Sequence, residues 1–180
     1  MGEEISLVQD LLNPKTQNIA FKNLVQQFQK PLYYHIRNIV LNHDDADDVL
    51  QNTFIKVFQH LDKFKGESKL FSWIYRIATN EAITFLNSKA KRNSSTNQEL
   101  QSKIIDNLEA DVFFDGNEIQ IKLQKAIAIL PEKQQLIFKM KYFEELKYEQ
   151  ISDILGTSVG ALKASYHIAT KKIELFLKTN

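Results

Sequence analysis

Apolar side chains recur at every third or fourth position through the middle of this chain, a period typical of helices with one buried face. A second apolar run opens near Ser68 and continues to about Lys91. The spacing predicts two helices, over residues 44–60 and from Ser68 onward, with Ser68 as N-cap and a short loop built on Gly66. The apolar positions of the first helix and its end are Val49, Leu50, Phe54, Val57, Phe58 and Leu61.

The residues before this hairpin repeat the same pattern. A short helix is predicted over residues 5–12 and a longer one from Thr16, through Ile19, Phe21, Leu24, Val25 and Phe28. Proline lacks a backbone donor and clashes with the preceding turn, so Pro31 is expected to kink or restart this helix before it ends near Leu41. Together with the hairpin, these helices predict a compact all-α unit over residues 1–92.

Residues 93–118 interrupt the helical pattern. The stretch starts with a polar run, contains one basic residue against six acidic ones, and shows no sustained helical face. This composition is typical of a flexible acidic linker. Its apolar islands, Ile104 with Ile105 and then residues 112–114, are expected to dock weakly on another surface. The acidic strip as a whole fits either an electrostatic mimic of nucleic acid or a plain solvated tether.

Helical patterning returns in residues 119–180, which predict a second small helical domain. Pro131 is placed to begin a helix, because proline is favoured in the first turn. A short apolar face at residues 151–155 is followed by Gly156 as a turn residue and by Ser158 as a helix cap. Two short helices joined in this way predict a helix-turn-helix.

The chain has 180 residues, a formal net charge of +1 and no cysteine, which excludes disulfides and thiolate metal sites. Its start lacks the regions of a signal peptide, and no apolar run reaches the roughly 20 residues of a membrane span, so we predict a cytoplasmic protein. The small net charge conceals a segregation. Basic residues outnumber acidic ones by 12 to 7 in residues 15–92 and by 10 to 6 in residues 119–180, leaving two basic blocks around the acidic linker.

The sequence contains no catalytic or metal-binding motif that we can identify. The acidic run consists of Asp44, Asp45, Asp47 and Asp48. It does not predict a metal site, because no glycine-containing calcium loop follows it and adjacent side chains of a helix point in different directions. The four histidines lack metal-ligand spacing, and there is no nucleophile elbow or phosphate-binding glycine loop. We expect no metal, no cofactor and no catalysis by the chain alone.

Aromatic and basic side chains alternate around the turn of the hairpin, where Lys65, Lys69 and Arg76 lie beside four rings: Phe64, Phe71, Trp73 and Tyr75. A base removed from a duplex stacks on such a ring for about 1–3 kcal/mol, which offsets much of the cost of unstacking. The alternative is that the rings belong to the core, which we favour for Phe71 and Trp73. Arg76 fits either a nucleic-acid contact or a surface ion pair.

The run from Asp45 to Ile83, DADDVLQNTFIKVFQHLDKFKGESKLFSWIYRIATNEAI, resembles domain 2 of sigma factors of the sigma-70 family, extracytoplasmic-function group. The resemblance implies that Asp48, Gln51 and Asn52 dock on the clamp helices of the RNA polymerase largest subunit; Asn52 stands where the family usually has Glu. It also implies that the loop and second helix open the minus-10 promoter element and hold an extruded base. The residues implied in that contact are Phe64, Lys65, Gly66, Ser68, Tyr75, Arg76 and Asn80.

The C-terminal block resembles sigma domain 4, through LPEKQQ, EQISDILG and SVGALK. The resemblance implies that the last helix enters the major groove of the minus-35 element. The residues implied to face the groove are Ser158, Gly160, Ala161, Lys163, Ala164 and His167, with Lys171 and Lys172 near phosphates. This helix lacks the several Arg residues common in the family, so its sequence preference should depend on Lys163, His167 and DNA shape.

Together the resemblances imply an alternative sigma factor, a monomer that binds bacterial core RNA polymerase and promoter DNA and starts transcription. An anti-sigma partner, often membrane-bound, is implied as well. Two other functions are compatible with the residues alone. One is a stand-alone helix-turn-helix regulator with an N-terminal sensor or dimerisation half, and the other is a module that sequesters a polymerase subunit or another sigma factor.

Overall fold

A computed structural model describes residues 2–64, 66, 68–106 and 118–179, without the side chains of residues 2–5 and 98. Within these ranges the chain is helical and contains no strand, which confirms the predicted all-α fold. The helices are α1 (Gly2–Leu12), α2 (Gln17–Val40), α3 (His43–Gln59), a 3-10 turn (Leu61–Lys63), α4 (Leu70–Arg92), α5 (Asn97–Asp106), α6 (Glu118–Ala128), α7 (Glu132–Tyr142), α8 (Tyr148–Leu155) and α9 (Val159–Thr179).

An apolar core lies among α2, α3 and α4, where the predicted periodicity placed it. Leu24, Ile36, Val57 and Ile74 are fully buried there. α2 runs unbroken through Pro31, so the predicted restart of the helix at that residue is wrong. Pro31 itself is exposed, but the turns on either side of it are buried in the core. Their packing keeps the helix continuous because it stabilises α2 by more than the loss of one backbone hydrogen bond destabilises it.

The ends of α3 and α4 differ in how they are capped. The Asn42 side chain accepts a hydrogen bond of 2.9 Å from the backbone N–H of Asp45, which fixes the start of α3. α4 begins at Leu70, and its N-cap position is Lys69, whose side chain makes no capping hydrogen bond, so the predicted N-cap position of Ser68 is wrong. The helix begins later than predicted because Leu70 is the first residue of its buried face.

The first part of the predicted flexible linker contains a helix, α5, although residues 93–118 show no sustained helical face in the sequence. Thr96 and Glu99 cap it reciprocally: the N–H of Thr96 donates to Glu99 Oε2 over 2.7 Å, and the N–H of Glu99 to Thr96 Oγ1 over 3.2 Å. Hydrogen bonding from Thr96, first from its backbone N–H and then from its side chain, lowers the pKa of the Glu99 carboxyl. Leu100 and Ile105 are buried, so the predicted docking of the island around Ile105 is confirmed. The second island, residues 112–114, lies outside the described residues.

The helices before and after α5 pack against one another. We call α1–α4 the N-terminal unit and α6–α9 the C-terminal unit. α8 packs on α4 and α7 on α2, and the apolar side chains of both units join in one buried cluster. The C-terminal unit contributes Ile137, Met140, Ile151, Ile154 and Leu162 to it, among others. No helix in the described ranges has the length and apolarity needed to cross a membrane.

Candidate nucleic-acid interface

An exposed polar face runs along α3, opposite its buried side. Asp48, Gln51 and Asn52, predicted to bind polymerase, are all exposed and lie three and four residues apart, so they share this face. Ile55 continues it and is 54% exposed. Ile55 did not stand out in the sequence, although its spacing from Gln51 and Asn52 was visible there.

The acidic start of α3 is explained by protein contacts. Asp45 pairs with Lys89 of α4, and Asp47 lies 3.5 Å from the ring of His43, one turn before it. Asp44 and Asp45 occupy the first turn, where carboxylates interact favourably with the helix dipole. Among the described residues, no group of three or more His, Asp or Glu side chains is placed to hold a metal ion.

The loop before α4 and the first turns of α4 enclose a cleft of about 380 Å³, which we call the loop cleft. Four residues predicted to bind the minus-10 element line it together. The lining residues are Lys63, Phe64, Gly66, Ser68, Trp73, Arg76 and, from the C-terminal unit, Asp153. Gly66 has φ +72°, a conformation that a side chain would strain, so the loop shape requires glycine. Lys65 was also predicted here but lies outside the described residues.

Trp73 forms the wall between the loop cleft and a neighbouring cleft of about 240 Å³, which Asn80 also lines. Its ring is only partly buried, and its centroid lies 5.2 Å from that of Phe64. Trp73 packs against the core, as favoured from the sequence, and also lines both clefts. The sequence favoured the core for Trp73, although its spacing of three and seven residues from Arg76 and Asn80 was visible there.

Tyr75 lies apart from both clefts. Its side chain is 4% exposed, and its ring lies 4.1 Å from the ring of Phe71 and 4.8 Å from that of His35. Burial, together with the charge of Glu144, raises the pKa of the Tyr75 phenol. The structure therefore groups Tyr75 with the interior and not with the other residues predicted for minus-10 contact.

Arg76 connects the loop cleft to the C-terminal unit. Its guanidinium is exposed, and Nη2 donates a hydrogen bond to the backbone carbonyl oxygen of Asp153 in α8. The sequence left open a nucleic-acid contact or an ion pair for Arg76. The observed partner is a carbonyl group from the other end of the chain.

The helix-turn-helix forms as predicted from α8, Gly156 and α9. Gly156 has φ +63° at the end of α8, and Ser158 Oγ accepts a hydrogen bond of 3.4 Å from the N–H of Ala161. Leu162, Ala169 and Ile173 are buried on one side of α9. Every residue predicted for minus-35 contact is exposed: Ser158, Gly160, Ala161, Lys163, Ala164, His167, Lys171 and Lys172.

Two lysines of α9 are held by neighbouring side chains. Lys163 Nζ lies 5.7 Å from the centroid of the Tyr148 ring, and Lys172 Nζ lies 3.4 Å from Gln134 Oε1 in α7. Lys163, His167 and Lys171 follow at intervals of four residues and form one exposed ridge. Lys172 leans toward α7, away from that ridge.

Comparison with known proteins finds similarity for both the N-terminal and the C-terminal unit. The chain matches the family model Sigma-70 region 2 over residues 24–92 and the model Sigma-70, region 4 over residues 120–173, together more than half of its length. The ECF RNA polymerase sigma-E factor of Haemophilus influenzae is 29% identical over 165 residues, which are 86% of each chain. The sigma-E factor of Escherichia coli K12 is 28% identical over 170 residues, covering 86% of this chain and 85% of the relative.

Solved structures show the same fold. CnrH, in complex with the cytosolic domain of CnrY, has a TM-score of 0.69 and 18% identity over 98% of this chain and 97% of its own. The sigma factor RpoE from Bartonella quintana, in complex with the anti-sigma factor NepR, has a TM-score of 0.64 and 19% identity, covering 89% of this chain and 98% of its own.

Proposed function

This chain belongs to the sigma-70 family, in its extracytoplasmic-function group. We propose that three of its surfaces, the α3 face, the loop cleft and the exposed ridge of α9, each perform one step of promoter recognition. The protein is an alternative sigma factor that directs promoter-specific initiation by RNA polymerase and has no catalytic role of its own. We assign polymerase and minus-10 binding to residues 1–92, a connection to residues 93–118, and minus-35 binding to residues 119–180. Its place of action is the cytoplasm, where bacterial RNA polymerase works.

The α3 face is the proposed polymerase contact. Asp48, Gln51 and Asn52 are exposed together, and Ile55 adds an apolar centre to a polar rim, the usual anatomy of a protein interface. The side chains of this face contribute little to the fold because they point away from the core. Their substitution should therefore affect association and leave stability nearly unchanged.

The loop cleft is the proposed site for the extruded minus-10 base, and the pairing of rings with cations in it carries this assignment. Phe64 and Trp73 offer stacking surfaces 5.2 Å apart, and Lys63 and Arg76 lie beside them for phosphates. Stacking on aromatic rings contributes roughly 1–3 kcal/mol per base and tolerates any base. Selection of a particular base then falls to the polar groups of Ser68 and the loop backbone.

The exposed ridge of α9 is the proposed minus-35 reader. Lys163 and His167 are the side chains long enough to reach base edges, and Gly160, Ala161 and Ala164 let the helix approach the groove closely. Few arginines are present, so bidentate recognition of guanine contributes less than groove shape and methyl contacts. Each unit alone binds weakly, and joining both to one polymerase strengthens them through effective concentration.

A protein inhibitor is the proposed regulator. Both similar solved structures are complexes, one with the anti-sigma factor NepR and one with the cytosolic domain of CnrY. A partner of this kind is proposed to cover surfaces of this chain that would otherwise bind polymerase.

The test of these assignments is transcription in vitro by sigma-free core polymerase, with the parent chain, a Phe64→Ala variant of the loop cleft and a Lys163→Gln variant of α9. We expect Phe64→Ala to bind polymerase and fail to open DNA, which permanganate footprinting of unpaired thymines detects. Polymerase carrying the Lys163→Gln variant should still open DNA, but it should need a higher promoter concentration to reach the same level of open complex. Equal open-complex formation by parent and Phe64→Ala would contradict the cleft assignment.

A further inference from the structure

A cavity of about 160 Å³ lies beside the second half of α4, whereas the loop cleft lies at the start of that helix. Its walls come from α2, α4, α5, α7 and the residues that connect α6 to α7. None of its lining residues belongs to the α3 face, the loop cleft or the exposed ridge of α9. The three surfaces assigned to polymerase and promoter DNA therefore do not account for this cavity.

The cavity contains a buried ammonium group that has no acidic partner in the described part of the chain. Lys139 of α7 is 3% exposed and lines the cavity. Burial lowers the pKa of its amine to about 8, so most of the amine is still protonated at neutral pH. A charged group kept from water without a partner destabilises the fold. A lysine at this position therefore indicates a role other than folding.

A buried amide lies at the same cavity. Gln101 of α5 is 7% exposed, and its side chain makes no hydrogen bond to any residue that the structure describes. Most buried polar side-chain atoms in proteins have a partner, so this amide is unusual. Gln135 of α7 shows the ordinary case, because its Nε2 donates to the carbonyl oxygens of Leu130, over 2.9 Å, and Ala128, over 3.3 Å. Lys139 and Gln101 are thus two polar groups at one cavity that the described fold leaves without partners.

The rest of the cavity is largely apolar and has the size of a small organic molecule. The apolar wall consists of Ile39, Ile83, Leu86, Leu130 and Leu136. A cavity of about 150 Å³ with side chains of this kind admits one benzene ring. Sites for small molecules usually combine such an apolar lining with a few polar groups that orient the ligand.

Glu132 is the other ionisable residue that lines the cavity. It is the first residue of α7 and is exposed, so water and salt screen its charge. Lys139 lies about two turns further along the same helix and is buried, where the lower dielectric strengthens the attraction between opposite charges. An anion inside the cavity is therefore attracted by Lys139 more than it is repelled by Glu132.

We propose that this cavity binds a small monocarboxylate whose apolar body has the size of one ring or one branched chain. The carboxylate pairs with the Lys139 ammonium and accepts a hydrogen bond from the Gln101 amide, and the apolar body packs on Ile83 and Leu86. Because helices of both units and α5 line the cavity, one ligand contacts all three parts of the chain. The site adds a small-molecule ligand to the protein and DNA contacts proposed above.

Binding is measured by NMR on isotope-labelled methyl groups of Ile and Leu, because five of these residues line the cavity. The probes are benzoate and 4-methylpentanoate, and each is compared with its uncharged amide. We expect both carboxylates to shift the methyl signals of Ile83 and Leu86. Each should bind with a Kd at least about tenfold lower than that of its amide, because only the carboxylate forms a charge-assisted hydrogen bond with Lys139.

Two variants test the two polar groups separately. Lys139→Met removes the ammonium and keeps an unbranched side chain, so it should bind each carboxylate no more tightly than the amide. Gln101→Leu should raise the Kd of both carboxylates about fivefold, the effect of one hydrogen bond. Lys133→Met is the matched control, because it makes the same chemical change at an exposed position of α7. It should bind both probes as the parent does.

The proposal is overturned if neither carboxylate shifts the signals of Ile83 and Leu86, or if the parent and Lys139→Met bind the carboxylates equally. An unchanged Kd in Gln101→Leu would remove the amide from the site. Circular dichroism verifies that each variant is folded. None of these outcomes bears on the proposed function, because the titrations contain neither polymerase nor promoter DNA.

Discussion

The ring nitrogen Nδ1 of His35 lies 3.0 Å from each carboxylate oxygen of Glu144, a residue 109 positions later in the chain. The histidine is fully buried, while the Glu144 side chain is 11% exposed. A buried polar group needs a partner, and here the partner comes from the other unit. The two units are therefore held together by a hydrogen bond to a buried polar group as well as by apolar packing.

Thr79→Val should destabilise the protein by about 1–3 kcal/mol, because it leaves buried Nε2 of His35 without its hydrogen-bond partner. The Thr79 hydroxyl lies 2.9 Å from that nitrogen and also donates to the Tyr75 carbonyl oxygen over 2.7 Å. The free energy of unfolding, from urea titration followed by circular dichroism, measures the loss.

Thr53→Val is the control for that substitution. Thr53 is equally buried, but its hydroxyl donates only to the Val49 carbonyl oxygen of its own helix, over 2.7 Å. Its replacement should cost less than about 1 kcal/mol. Equal losses for the two variants would contradict a special role for the His35 contact.

Lys139→Met should stabilise the protein at neutral pH, since it removes a buried cation that forms no ion pair with any residue in the described part of the chain. Burial lowers the pKa of the Lys139 amine from 10.5 to about 8. Between these values the unfolded chain binds a proton that the folded chain has released, so the stability of the parent should rise with pH from about 8 to 10. The full span is on the order of 3 kcal/mol.

The pH series is measured by urea unfolding of parent and Lys139→Met. Tyr75 opposes this rise only near and above pH 10, because burial raises the pKa of its phenol in the folded protein while the unfolded chain begins to lose that proton at about 10. We expect a rising curve for the parent and a flatter, higher one for the variant. Parallel curves would show that Lys139 is solvated in the folded protein.

Asp48→Lys should weaken binding to core polymerase at least tenfold without changing stability by more than about 0.5 kcal/mol. Asp48 is exposed and is the charged residue of the proposed α3 face. Asp10→Lys, an equivalent reversal at an exposed site on α1, serves as the control. Binding is measured by fluorescence anisotropy of labelled sigma factor. Equal affinities for the two variants would remove Asp48 from the interface.

Lys163→Gln and His167→Ala should reduce transcription from promoters of this factor while leaving polymerase binding intact. Removing one phosphate contact makes the slope of log K against log salt shallower by about 0.9, so the slope distinguishes a phosphate contact from a base contact. Lys178→Gln, at an exposed lysine in the last turn of α9, is the control. A salt slope and promoter preference equal to those of Lys178→Gln would contradict the assigned ridge.

Local features of this fold were predictable from the sequence where one residue dictates them. Gly156 ends α8 and Ser158 caps α9 because turn geometry and an unpaired N–H group require such residues. The reciprocal cap of Thr96 and Glu99 was equally visible, but the acidic, polar composition around it obscured the helix. Pro31 shows the opposite case, since tertiary packing overrode a strong local signal.

The sequence indicated which residue types form the candidate site, but not which way each side chain points. Phe71 and Tyr75 are four residues apart and share one side of α4, whereas Trp73, midway between them, points to another side. Tyr75 joins Phe71 and Thr79 toward the interior, while Trp73 joins Arg76 and Asn80 at the clefts. Contacts between the units depend on side chains more than 70 residues apart in the chain, such as Arg76 with Asp153, and no local pattern specifies them.

The central claim is that this chain directs polymerase to promoters, and transcription from a genomic promoter library by sigma-free core polymerase tests it most directly. We predict starts that depend on the protein and share two upstream elements at a fixed spacing. Core binding without any start would indicate a sequestering module, and neither binding nor starts would indicate a stand-alone regulator. Either of these results would contradict a role as sigma factor.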